Sequence, residues 1–141
     1  MKLTACNPFS KVEEIMSIIK AYNPEIGRSE DAFMEIRITS PFSEELWIEI
    51  STEFTIFFGD WHAHYGAYEE YFRMFLDDLM GILQSKRCTV CGYRDGKWCG
   101  SDLSDKGVPD LSEILEEFGE DKQVVCSFWD KSKNVTYEPL G

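Results

Sequence analysis

Leu46-Trp47-Ile48-Glu49-Ile50, Ser51-Thr52-Glu53 and Phe54-Thr55-Ile56-Phe57-Phe58 decide the fold. Leu46, Ile48 and Ile50 alternate with Trp47 and Glu49, and after three polar residues the period of two resumes. That pattern predicts a β-hairpin with one face in the core. From Gly66 the period changes: Tyr68, Tyr71, Phe72, Phe75, Leu79, Ile82 and Leu83 recur at helical spacing, with Glu69, Glu70, Arg73, Asp77 and Gln84 on the other side. The expected element is an amphipathic helix. Between hairpin and helix lies Gly59-Asp60-Trp61-His62-Ala63-His64-Tyr65, which holds both histidines of the chain and is read as a corner that turns the chain back onto the sheet.

Upstream, Ser10-Lys11-Val12-Glu13 has the form of a capping box before a stripe of Val12, Ile15, Met16, Ile19 and Tyr22 that stops at Asn23-Pro24. Residues 24–31 read as a loop, and Met34, Ile36 and Ile38 alternate with charged and polar residues as a strand. Downstream, residues 86–93 and 98–100 predict a hairpin around Asp95-Gly96, a pair suited to positive φ. Residues 101–109 read as irregular. Asp110-Leu111-Ser112-Glu113 opens a second short helix that ends at Gly119, and residues 123–129 and 134–138 read as a last pair of strands. The order is α-β-β-β-α-β-β-α-β-β. Short links favour antiparallel pairing, so residues 1–141 are expected to form one α+β domain, a mostly antiparallel sheet with its helices packed against it.

A net charge of −12 opposes binding to phosphate backbones and anionic lipid surfaces and favours encounter with a basic protein. The acidic balance also serves solubility. No apolar run has the length of a membrane span, and Met1-Lys2-Leu3-Thr4-Ala5-Cys6 lacks the apolar segment of a secretory signal, so the expected compartment is the cytoplasm. Five cysteines, an odd number, argue against a disulfide framework.

His62 and His64, one residue apart, point the same way in an extended segment, together with Asp60. Such a pair suits a metal if a third ligand comes from elsewhere. The structural alternative is that the imidazoles bond backbone or carboxylate groups while Trp61 and Tyr65 pack behind. Cys88-Thr89-Val90-Cys91 has the spacing of a zinc knuckle, with Cys99 eight positions on, but a second close pair is missing, and buried thiols account for it better. No nucleophile elbow, phosphate loop or helical His-Glu motif is present, and no catalytic residue, metal ligand set or cofactor is assigned. Asp102, Asp105, Asp110, Glu113, Glu116 and Glu117 concentrate negative charge around a single Lys106, and this segment reads either as a solvated surface or as a rim that docks a basic partner. Trp98, Trp129 and Phe42 are apolar anchors for such a partner or core residues.

The run Glu53-Phe54-Thr55-Ile56-Phe57-Phe58-Gly59-Asp60-Trp61-His62-Ala63-His64-Tyr65, followed by an acidic amphipathic helix, resembles small immunity-type proteins of bacterial polymorphic toxin systems. The resemblance covers residues 47–83. It implies a protein that binds and blocks a cognate toxin domain without catalysis, the toxin being in many cases a basic nuclease. The alternative from a different class is a small metal-binding or metal-dependent hydrolytic domain using His62 and His64. A further possibility is a scaffold subunit whose sheet edge pairs with a second copy.

Overall fold

A computed structural model describes residues 2–141. The protein is α+β, with nine strands in two sheets and three α-helices among the described residues. The chain divides into two compact units, Met1–Met80 and Gly81–Gly141.

The first unit begins with a 3₁₀ turn at Pro8–Lys11 that runs into helix α1, Val12–Ile19. The expected capping box at Ser10 does not form. Asn7 takes the capping position instead, its side chain accepting from Phe9 N at 3.0 Å, and Pro8 follows at a position that needs no N–H donor. Asn23, left-handed at φ 53°, closes the turn after α1.

Five strands follow: β1 (Glu25–Glu30), β2 (Phe33–Thr39), β3 (Glu45–Ile50), β4 (Phe54–Phe58) and β5 (Trp61–Tyr65). They form an antiparallel meander in the order β1-β2-β3-β4-β5. Two of these strands are additional to the sequence reading. β1 lies where a loop is expected; all six of its residues are exposed, and it is held by pairing to β2 rather than by side-chain burial. β5 is the segment read as a corner, and the turn is only Gly59-Asp60, with Gly59 at φ 59° where a two-residue hairpin loop favours glycine. Helix α2, Glu69–Leu83, comes next.

Alternation sets the core of this unit. Ile36, Ile38, Leu46, Ile48, Ile50, Phe54, Ile56 and Phe58 point inward and are buried, and Trp61 and Tyr65 join them from β5. Phe54 packs between Phe72 and Phe75 of α2, at 5.1 and 5.2 Å between centroids. Each such apolar side chain fully removed from water contributes about 1.5–3 kcal/mol. Lys11 fixes the start of α1 to α2 through Glu69 at 2.7 Å and the ring of Phe72 at 5.1 Å, and Glu69 raises the pKa of Lys11 above its ordinary value. Tyr68 and Tyr71, expected on the apolar stripe of α2, are half-exposed and meet edge to face.

The second unit holds a separate antiparallel sheet, β7-β6-β8-β9, from β6 (Cys88–Arg94), β7 (Lys97–Ser104), β8 (Gln123–Ser127) and β9 (Val135–Tyr137). The class and the order of helices and strand groups stand, but the strands divide between two sheets, because the residues on each side of α2 complete their own set of hairpins. β7 also runs on to Ser104, so part of the stretch expected to be irregular pairs with β6. Asp95 and Gly96 hold φ 51° and 77° at the β6–β7 turn, as their pairing predicts.

Helix α3, Leu111–Phe118, has the predicted capping box: Asp110 Oδ1 accepts from Glu113 N at 2.9 Å, and Gly119 at φ 82° ends the helix. Ile114 and Phe118 pack on Cys88, Val90, Val124, Cys126 and Phe128. Gly92 lets this happen, since a Cβ there would stand 2.6 Å from the Phe118 ring. No helix among the described residues is long and apolar enough to cross a membrane.

Candidate functional site

The helix-facing side of the first sheet is buried; its other side carries the least expected side chains of the unit. On β3, the residues out of phase with the core are Glu45, Trp47 and Glu49, and on β4 they are Thr55 and Phe57. Register then aligns these residues across the sheet. Arg37, Trp47, Phe57 and His62 form one row, each opposite the next, and Glu35, Glu49, Thr55 and His64 form the adjacent row. Trp47 and Phe57 remain partly exposed in the middle.

The first row is a ladder of ring and cation contacts. Glu25 of β1 bonds Arg37 at 2.7 Å, and Arg37 lies over Trp47 at 5.3 Å. Phe57 stacks on His62 at 5.5 Å. The Glu25 hydrogen bond holds the Arg37 guanidinium above its ordinary pKa. Arg37 Nε is buried with no hydrogen-bond partner, consistent with a guanidinium placed against a ring.

Two open grooves flank the Trp47–Phe57 pair. One, about 400 Å³, is lined by Ser43, Glu44, Glu45, Trp47, Phe57 and Gly59. The other, about 290 Å³, is lined by Glu35, Trp47, Glu49 and Phe57. Aromatic faces beside carboxylates attract cations, and tryptophan, tyrosine and arginine are the side chains on which binding energy concentrates.

His62 and His64 both point to this face, as their spacing predicts, with ring centroids 5.1 Å apart. Trp61 and Tyr65 turn inward, and the Tyr65 hydroxyl donates to Asp78 Oδ2 at 2.5 Å. Asp60 sits in the hairpin loop, outside the alternation that was expected to align it with the histidines. His64 Nδ1 lies 2.9 Å from Glu53 Oε1 and 3.0 Å from Thr55 Oγ1. A catalytic triad uses opposite ring nitrogens for nucleophile and carboxylate. Here both partners meet the same nitrogen, an arrangement that orients the ring and does not relay a proton through it. Among the described residues no three His, Cys, Asp or Glu side chains gather as a metal would require.

In the second unit the acidic residues have unequal duties. Asp110 and Glu113 serve the helix cap, and Glu113 also pairs with Lys106, whose pKa it raises. Asp102, on β7, meets Glu117 of α3; burial, then the charge and hydrogen bond of Asp102, raise the Glu117 carboxyl above its ordinary pKa. Asp105 and Glu116 are exposed.

Trp98 is 54% exposed on edge strand β7 and Phe42 is 50% exposed, as anchors require, whereas Trp129 is buried. All five cysteines are free thiols. Cys88 and Cys91 lie three apart on a continuous strand and so face opposite sides, which a zinc knuckle does not allow. The Cys88 thiol is held above its ordinary pKa by its hydrogen bond with Cys126 and by burial.

Sequence reasoning passed over Trp47, Phe57, Arg37, Glu35 and Glu49. The available signal was Trp47 itself, a large aromatic in the polar phase of an alternating strand. Searches against protein-family models, curated proteins and solved structures gave no match.

Proposed function

We propose that the protein is a non-enzymatic binding module that docks a basic protein on the face of its first sheet that carries Trp47 and Phe57. The observation that carries this reading is the Trp47–Phe57 pair, set between two grooves whose other linings include Glu35, Glu44, Glu45 and Glu49. Aromatic anchors within a charged rim are the usual division of labour at an interface, with the anchors supplying affinity and the rim supplying encounter rate and register. The cations native to the face, Arg28 and Arg37, are bonded to Glu30 and Glu25. With a net charge of −12, the rim favours a partner of opposite sign. The partner is a toxin domain whose working surface is occluded; this part of the reading rests on the likeness of residues 47–83 to immunity-type proteins. The acidic segment around α3 acts in approach and steering.

The test is a tagged pull-down from the source cells at low and high salt, run with wild type, Trp47→Ala and Trp98→Ala. The expected partner is basic, is held in near-equal amount, is shed as salt rises, and has a toxic activity that the purified protein suppresses. Trp47→Ala should lose the partner and Trp98→Ala should keep most of it. Equal retention by Trp47→Ala, or a retained partner that is acidic, would refute docking on this face.

A further inference from the structure

We infer that the groove lined by Glu35, Trp47, Glu49 and Phe57 is a receptor for one guanidinium group, supplied by an arginine of the partner. The inference rests on the docking reading above and names the chemistry it would recognise.

The face holds two guanidiniums of its own, and both are held in the same way. Arg37 lies over Trp47 and bonds Glu25, with Glu45 at 3.9 Å. Arg28 lies over Phe33 at 5.0 Å and bonds Glu30 at 3.0 Å. Each set is one aromatic face, one arginine and at least one carboxylate. The Glu35–Trp47–Glu49–Phe57 groove repeats the aromatic and carboxylate parts, but none of its four lining residues is a cation.

Glu35 and Glu49 are direct cross-strand partners, so two like charges stand opposite each other on one face. Such a pair opposes folding. Arg28 is the direct cross-strand partner of Glu35 from β1 and its charge reaches both carboxylates, while its hydrogen bond goes to Glu30. A cation entering from outside would relieve the repulsion. A planar guanidinium suits the site better than an ammonium, because it can bond two carboxylates while stacking on a ring.

Size and shape point the same way. The groove, about 290 Å³, is large enough to admit a guanidinium and open enough for one to enter from a partner's surface. Gly27, beside the β1 bulge, lies against two of the lining side chains: a Cβ there would stand 3.3 Å from Trp47 Cζ3 and 3.4 Å from Glu35 Oε1.

The probe is the peptide acetyl-Gly-Arg-Gly-amide, titrated at low salt into the isotope-labelled full chain, beside its lysine and citrulline counterparts. The arginine peptide should give saturable shifts at the Trp47 indole N–H and at the amides of Glu35 and Glu49. The lysine peptide should bind more weakly, and citrulline, uncharged and of the same shape, should leave these signals unmoved. Changing both carboxylates, Glu35→Gln with Glu49→Gln, should weaken the arginine peptide roughly tenfold, the loss expected for charge-assisted hydrogen bonds.

Equal arginine and lysine shifts spread over the whole acidic surface would overturn the inference, as would no saturable shift at these positions. If the basic partner is retained by wild type, lost by Trp47→Ala and indifferent to the double glutamine variant, the receptor is refuted while docking on the face stands. If no basic partner is found, the docking reading fails, and a saturable arginine-selective shift at Glu35 and Glu49 would still support the groove itself.

Discussion

Tyr65→Phe should destabilise the protein by about 1.5–3 kcal/mol, the range for a hydrogen bond to a charged group. The change removes one oxygen and little else. The Tyr65 ring is buried and meets Phe75 edge to face at 5.6 Å, a contact that phenylalanine keeps. What is lost is the bond from the hydroxyl to Asp78 Oδ2 at 2.5 Å, which ties the end of β5 to the middle of α2. Asp78 is half-exposed and regains water when the hydroxyl goes, which places the cost toward the lower end of the range. Urea unfolding followed by far-ultraviolet circular dichroism and tryptophan fluorescence gives the loss as a lower midpoint at unchanged slope. A cycle with Asp78→Ala separates the pair from its surroundings and should return a coupling of about 1–2 kcal/mol, within the range for contacting residues. A loss below about 0.5 kcal/mol, the level of ordinary surface changes, or a coupling near zero would refute the reasoning.

Gly92→Ala should cost about 1–3 kcal/mol, because the new Cβ would press the Phe118 ring into the closed cluster beneath α3; Phe118→Leu in the same chain should recover part of the loss in urea unfolding. Glu49→Gln should stabilise the fold by about 0.2–1 kcal/mol through relief of its repulsion with Glu35, while the same variant retains the basic partner less well in the pull-down. Glu117→Gln should raise stability at neutral pH and do nothing in strong acid. The folded carboxyl has a raised pKa, so it opposes folding when ionised, and that penalty builds up as pH rises from the ordinary value of 4.5 through the raised one. Unfolding midpoints of both proteins across that interval should diverge upward with pH.

The hairpin of β3 and β4, α2, the Asp95-Gly96 turn and the α3 cap were legible because each is a local rule written in consecutive side chains. Trp61-His62-Ala63-His64-Tyr65 also alternates, with Trp61, Ala63 and Tyr65 inward, but its unusual side chains suggested a corner and masked a fifth strand. β1 gave no side-chain signal at all, since an edge strand with every residue exposed is specified by its neighbour's free backbone groups. Division into two sheets was likewise illegible: alternation says that a strand has a buried face and does not say which strand lies beside it. The candidate face failed to emerge for the same reason. Arg37, Trp47, Phe57 and His62 sit on four different strands, and only register places them in one row.

The position of β4 inside its sheet has a consequence for how the chain survives at high concentration. Phe54-Thr55-Ile56-Phe57-Phe58 is uncharged, free of proline and glycine, and rich in β-forming residues, the composition of a steric-zipper segment. In the native sheet both its edges are occupied, by β3 and β5, and the outermost strand at the far side carries Glu25, Arg28 and Glu30 around a bulge. Charges and a bulge are poor templates for another chain. β5 therefore acts as a gatekeeper: peeling it away would uncover the fibril-prone strand beneath, so variants that loosen β5 should clump at lower protein concentrations than equally destabilised variants elsewhere.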